Sequence, residues 1–192
     1  QIMTIDPDQK HRKLRRMAAH LRDPEVYSVM GDLSGHNTSM QHHTNGMILA
    51  DVGDLLGYSE LDKVLHLFSY QEYLYPLAHT DKTFHATGQF GGIEGILGAF
   101  WGLDNLVTFR YACRREAVNI VEGAVYSDDF DYLIRLPRAN PEHLRSVCLS
   151  LQRIYHSVGQ ELKINQMNIS PNRLTILRVH YFKERRTTNG LK

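Results

Sequence analysis

The chain has little cysteine, no long apolar run and no excess of charge of one sign. Only Cys113 and Cys148 occur among 192 residues. They allow one disulfide at most and form no Cys-x-x-Cys pattern, which argues against a disulfide-stapled domain and for ordinary core thiols in a reducing compartment. No stretch approaches the roughly 18 apolar residues of a membrane span, and no signal peptide is expected at the start. Lys and Arg number 22 against 21 Asp and Glu, a formal net charge of +1. A global nucleic-acid footprint is thereby excluded, and any electropositive surface has to be local. Repeats, low-complexity tracts and linkers are missing too, so residues 1–192 read as a single domain. What is present is average globular usage, 42% hydrophobic and 22% charged residues, in a chain long enough to bury its own core. The compositional oddity is eleven histidines.

Local signals place the elements. Asp6-Pro7 caps a helix expected to run to about Arg22, with the basic cluster His11-Arg12-Lys13 and Arg15-Arg16 on it. Val26–Met30 reads as a strand running into Gly31-Asp32. Residues 34–46 are polar and aperiodic, a loop or a frayed helix start. Met47–Leu56 is helical with Gly57 as its stop, and Ser59-Glu60 starts another helix carrying Leu61, Val64, Leu65 and Phe68 on one face. Phe84–Phe90 is weakly strand-like. Gly91–Trp101 is a small-residue loop feeding a helix. Val118–Tyr126 and Phe130–Leu136 are strands joined by a tight Ser127-Asp128-Asp129 turn. Asn140-Pro141 caps the clearest helix, with Leu144, Val147, Cys148, Leu151, Ile154, Tyr155 and Val158 at three-and-four spacing up to Gly159. Leu162–Ile169 and Leu174–Phe182 read as two last strands. The order suggests an α+β fold: a β-α-β-β-α-β core with an antiparallel sheet and helices packed on one face.

In that topology Asp32, at the end of the first strand, should lie beside the turn of Asp128 and Asp129. An Asp-Asp turn alone is an ordinary hairpin turn. Three clustered carboxylates, however, repel one another unless a cation neutralises them. Magnesium favours a few carboxylates together with phosphate oxygens and water, and a pair of such ions suits phosphoryl transfer.

Three segments then carry a resemblance. Asp32 through Asn37, Gly88 through Gly95, and Tyr126-Ser127-Asp128-Asp129 resemble palm motifs A, B and C of viral RNA-dependent RNA polymerases, in order and spacing. The likeness is greatest to the L polymerase proteins of negative-strand RNA viruses. Gly88-Gln89-Phe90-Gly91-Gly92-Ile93-Glu94-Gly95 is its most specific element. Leu56-Gly57-Tyr58-Ser59-Glu60-Leu61 resembles the stretch after motif A in rhabdovirus-like enzymes, whereas Ser127-Asp128-Asp129 is the motif C form of segmented negative-strand polymerases. The resemblance implies a polymerase palm, a palm-centred fragment of a much longer enzyme that copies RNA from NTPs by two-metal chemistry for viral replication and transcription. It implies Asp32, Asp128 and Asp129 as catalytic ligands of Mg²⁺ (or Mn²⁺) and Asn37 at the ribose 2′-hydroxyl. Gly91, Gly92, Glu94, Gly95 and Ser127 would border the substrates. Lys163 would take the motif D position near the leaving pyrophosphate, and Lys183 the motif E position on the primer or product strand. The implied partners are RNA template and product, NTPs, viral nucleoprotein and polymerase cofactors. The implied location is the virion and the cytoplasm or nucleus of an infected cell.

Two other readings stay open at this stage: a nucleotide- or diguanylate-cyclase-like palm enzyme, and a non-catalytic ligand-sensing α+β module in which Asp128-Asp129 is only a turn. His36, His42, His43, His79 and His85 show no recognised zinc spacing.

Overall fold

The computed structural model describes residues 6–35, 39–70, 72–87, 98–126, 128–176, 179–182 and 185–187. The chain forms two compact units, one of residues 1–34 and 99–192 and the other of residues 35–98.

The first unit is built on a four-stranded antiparallel sheet. Its strands are β1 (Val26–Gly31), β5 (Asn119–Tyr126), β6 (Asp129–Arg135) and β8 (Asn168–Ser170), in the order β5-β6-β1-β8. Alternation along β6 sends Phe130, Tyr132 and Ile134 to one face and Leu133 to the other. On the first face they meet Val29 of β1 and two helices, α4 (Gly98–Arg115, through Phe109, Ala112 and Cys113) and α5 (Pro141–Ser157, through Val147, Leu151, Ile154 and Tyr155). The α5 start is the expected one: the Asn140 side chain accepts from the His143 N–H at 2.8 Å, and Pro141 follows.

The opposite face is covered as well, which departs from the expectation of helices on one face only. Helix α1 (Pro7–Ala19), capped by Asp6, packs Leu14, Met17 and Ala18 against Val26, Ala124 and Leu133. It shares that face with a three-stranded sheet of β9 (Arg173–Ile176), β10 (Val179–Phe182) and β11 (Arg185–Thr187), through Leu174, Ile176 and Tyr181. Both α1 and that sheet present an apolar stripe that must be buried, and β1, β5 and β6 offer an apolar second face to bury it on.

The last two expected strands are each divided. The stretch 162–169 contains β7 (Glu161–Leu162), a 3₁₀ turn (Ile164–Gln166) and then β8. Beside β7 lies β2 (Leu33–Ser34) as a short antiparallel pair. The stretch 174–182 is the β9–β10 hairpin, paired from Arg173↔Phe182 to Ile176↔Val179.

The second unit, taken by itself, holds α2 (His42–Leu56), a 3₁₀ turn (Leu61–Leu65), α3 (His66–Tyr70) and a hairpin of β3 (Glu72–Pro76) with β4 (Thr83–Thr87). The helix begins earlier than expected, at His42, and ends as expected at Gly57 with φ 77°. Strand β3 had no counterpart in the sequence reading. His85 Nε2 meets Glu72 Oε2 across the hairpin at 3.1 Å.

Candidate functional site

Strand register brings the acidic residues together. Gly31, the last residue of β1, pairs with Phe130, so the same register carried one residue further sets Asp32 beside Asp129. The closing pair of the β5–β6 hairpin is Tyr126↔Asp129, with Asp128 in the turn. Asp32, Asp128 and Asp129 line one pocket of about 470 Å³. Gly31 makes the approach possible: a Cβ there would lie 2.3 Å from Phe130 Cζ. The aromatic ring beside the acidic turn thus occupies the space that any side chain at position 31 would need.

Lys163 joins this group. It lies between β7 and the following 3₁₀ turn rather than within a strand. Its backbone N–H donates to the Asp32 carbonyl at 3.1 Å, and its Nζ donates to Asp32 Oδ2 at 2.5 Å. Asp32 in turn raises the affinity of Lys163 for its proton, first through that hydrogen bond. The Asp128 carboxyl is also pushed above its ordinary range. Burial is the main cause and the neighbouring Asp32 charge adds to it, while backbone N–H groups of the turn and Lys163 pull the other way.

Among the described residues no group of three or more His, Cys, Asp or Glu side chains stands as a formed metal cage. Asp32 is turned onto the ammonium of Lys163 instead. The donor set still fits a hard divalent cation, since it offers carboxylate oxygens from two adjacent strand ends and an electrostatic strain that positive charge relieves. Lys163 relieves part of that strain here.

The pocket is also lined by residues that sequence reasoning missed: Gln166, Thr175, Ile176 and His180. A further missed residue is bonded to this group. Asp131 is fully buried and accepts from Ser28 Oγ at 2.8 and 2.9 Å and from the Thr175 N–H at 2.8 Å. Burial pushes its carboxyl up to about 7, opposed by the Thr175 and Ser28 hydrogen bonds. A charged residue in the middle of an apolar strand was the available signal for it, since such groups are buried only with partners.

Asn37, Gly91, Gly92, Glu94, Gly95, Ser127 and Lys183, also expected at the site, lie outside the described residues. Of the histidines weighed as metal ligands, His36 lies outside them too, and His42 contacts Ser69 and Phe68.

No family model matches the chain. It is similar to the RNA-directed RNA polymerase L of Citrus psorosis virus, with 28% identity over 189 residues. It is also similar to the RNA-directed RNA polymerase L of Mirafiori lettuce virus, with 26% identity over 190 residues. Each match takes in 95% of this chain and 8% of the relative, so the chain spans a small part of the curated proteins it matches. The resemblance to a viral RNA-directed RNA polymerase region, first read from the three motifs, is borne out by these matches.

Proposed function

We propose, for a chain that resembles viral RNA-directed RNA polymerase L over nearly its whole length, that it is the palm of such an enzyme from a negative-strand virus. It would carry the centre for template-directed nucleotidyl transfer. The observation that supports this most is the meeting of Asp32 with Asp128 and Asp129 at one end of β1 and β6, around a single pocket and with Lys163 on Asp32.

In this reading Asp32, Asp128 and Asp129 hold Mg²⁺ or Mn²⁺. The bound metal supplies charge neutralisation at the attacking and leaving oxygens of phosphoryl transfer. The chain's own residues do the rest. The two strand ends fix the carboxylates on a rigid sheet, where small displacement is costly to rate. Lys163 keeps its ammonium proton through its contact with Asp32. Once that carboxylate is engaged elsewhere, the ammonium is free to neutralise or protonate the leaving pyrophosphate. Asn37 is assigned to the ribose 2′-hydroxyl, Gly91, Gly92, Glu94, Gly95 and Ser127 to the borders of template and incoming nucleotide, and Lys183 to the product strand. RNA and NTPs are then the ligands, and viral nucleoprotein and polymerase cofactors the partners, in the virion and the infected cell. The cyclase-like and ligand-sensing readings gain no observation of their own.

The test is RNA synthesis by the full-length polymerase carrying Asp32→Ala or Asp128→Ala. Each variant is expected to lose nearly all incorporation at matched protein level. Activity near wild type in either one contradicts the assignment.

A further inference from the structure

Asp131 stands two residues beyond Asp129 in β6 and has no exposed surface. A carboxylate in that position costs more than an apolar residue unless its hydrogen bonds achieve something an apolar residue cannot. Those bonds have a particular reach. Through Ser28 the carboxylate is tied to β1, the neighbouring strand of its own sheet. Through the backbone N–H of Thr175 it is tied to β9, which belongs to a different sheet. Thr175 Oγ1 is in turn 2.9 Å from His180 Nδ1 on β10. Thr175, Ile176 and His180 line the same pocket as Asp32, Asp128 and Asp129. One buried side chain therefore ties the strand that leads out of the acidic turn to the hairpin that lines the same pocket.

We propose that Asp131 is a positioning residue, fastening the β9–β10 hairpin beside the acidic centre so that the hairpin can hold the primed end of the nucleic acid. The inference rests on the polymerase reading above. The role belongs to hydrogen-bond acceptance and not to charge. An amide can serve it, because an Asn at 131 can accept from Thr175 N–H while its NH₂ donates to a rotated Ser28 hydroxyl. A leucine of similar size cannot, although it suits the apolar surroundings.

The experiment compares Asp131→Asn and Asp131→Leu in the full-length polymerase, extending a primed RNA template. Asp128→Ala is the inactive control. Loss of fold only lowers the active fraction and leaves KM values alone, so the two KM values are the readout. With Asp131→Leu the KM for primed template is expected to rise roughly tenfold, a modest share of what a misplacement of about 1 Å can cost. The KM for NTP should stay within about twofold. Asp131→Asn should restore the template KM to within about threefold of wild type. Ser28→Ala removes one hydroxyl from the same network without burdening the core, and should raise the template KM in the same direction by a smaller factor. It decides the matter if Asp131→Leu does not fold. Unchanged template KM in Asp131→Leu, or in Ser28→Ala where the leucine variant is insoluble, overturns the proposal. So does an asparagine variant as impaired as the leucine one, which would assign the role to charge. Full activity of Asp128→Ala would instead sink the polymerase reading itself.

Discussion

Gly31 and Gly123 occupy matching places in the four-stranded sheet. Gly31 lies directly across from Phe130, and Gly123 directly across from Tyr132. A Cβ on Gly123 would fall 2.4 Å from Tyr132 Cδ1, as one on Gly31 would meet Phe130. Both rings are fully buried, and with Phe109 and Tyr155 they form one aromatic cluster. The rings therefore cannot yield, and alanine at position 31 has to displace Phe130 or bend β1. Gly31→Ala is expected to cost about 1–3 kcal/mol, the usual range for overpacking, read as a lower midpoint in thermal or denaturant unfolding. A midpoint equal to wild type would show that the ring has room. The sequence marked Gly31 only as the run-out of a strand, because the ring it makes room for is supplied from a distant part of the chain. The meeting of Asp32 with Asp128 and Asp129 was legible for the opposite reason: a strand end and a hairpin turn are written in adjacent residues, and the order of strands brings the two together.

At the scale of elements, a buried pair links two helices. Asp104 of α4 accepts from Gln160 Nε2, just past α5, at 2.5 Å. Asp104 Oδ1 and Gln160 Oε1 have no hydrogen-bond partner among the described residues. Two buried acceptors without a donor are costly. Burial raises the Asp104 carboxyl from 3.8 to about 6, with the Gln160 bond opposing. The folded chain therefore binds this proton more tightly than the unfolded chain. The stability this group contributes is complete below the unfolded value of 3.8 and is lost as pH rises through about 6. Asp104→Asn removes the charge and offers an NH₂ donor to the unpaired oxygen. It should raise stability at pH 7.5 by roughly 1–3 kcal/mol and abolish this group's slope between those pH values. Equal stabilities of variant and wild type at pH 7.5 would refute the account.

Other elements show where local signals end. Asn140-Pro141 and Asp6-Pro7 announced their helices because caps are written in adjacent residues. The division into β9 and β10 was not announced: no Gly, Pro, Asn or Asp interrupts the largely apolar run from Leu174 to Phe182. Leu174 and Ile176 of β9 pack with Val26 of β1 and Leu133 of β6, and such tertiary reach has no local signature. Asn140→Ala, which deletes the cap of α5, should lower stability by about 0.5–2 kcal/mol. Urea titration measures it, and no shift in midpoint would mean the cap is dispensable.

At the scale of the whole molecule, the chain spans 8% of its relatives' length and carries a formal net charge of +1. A polymerase also needs a positively charged path for its template, and that balance supplies none globally. The isolated chain is accordingly expected not to extend a primer, and measurable extension by it would overturn this view. The sheet, its central hairpin and the acidic end were readable from the sequence because order, turn chemistry and motif spacing all agreed. The second covered face and the added pocket lining were not, because they depend on α1 and on β9 and β10 packing back on the sheet.

The central claim is that Asp32, Asp128 and Asp129 form one cation site. It is tested most directly by loading the full-length polymerase with Fe²⁺ in place of Mg²⁺ and mapping the backbone cuts made by the hydroxyl radicals generated there. Cuts are expected close to residue 32 and close to residues 128 and 129 together. They should be suppressed by excess Mg²⁺ and absent in Asp128→Ala. Cuts at only one of the two segments, or a pattern unchanged by Asp128→Ala, would contradict it.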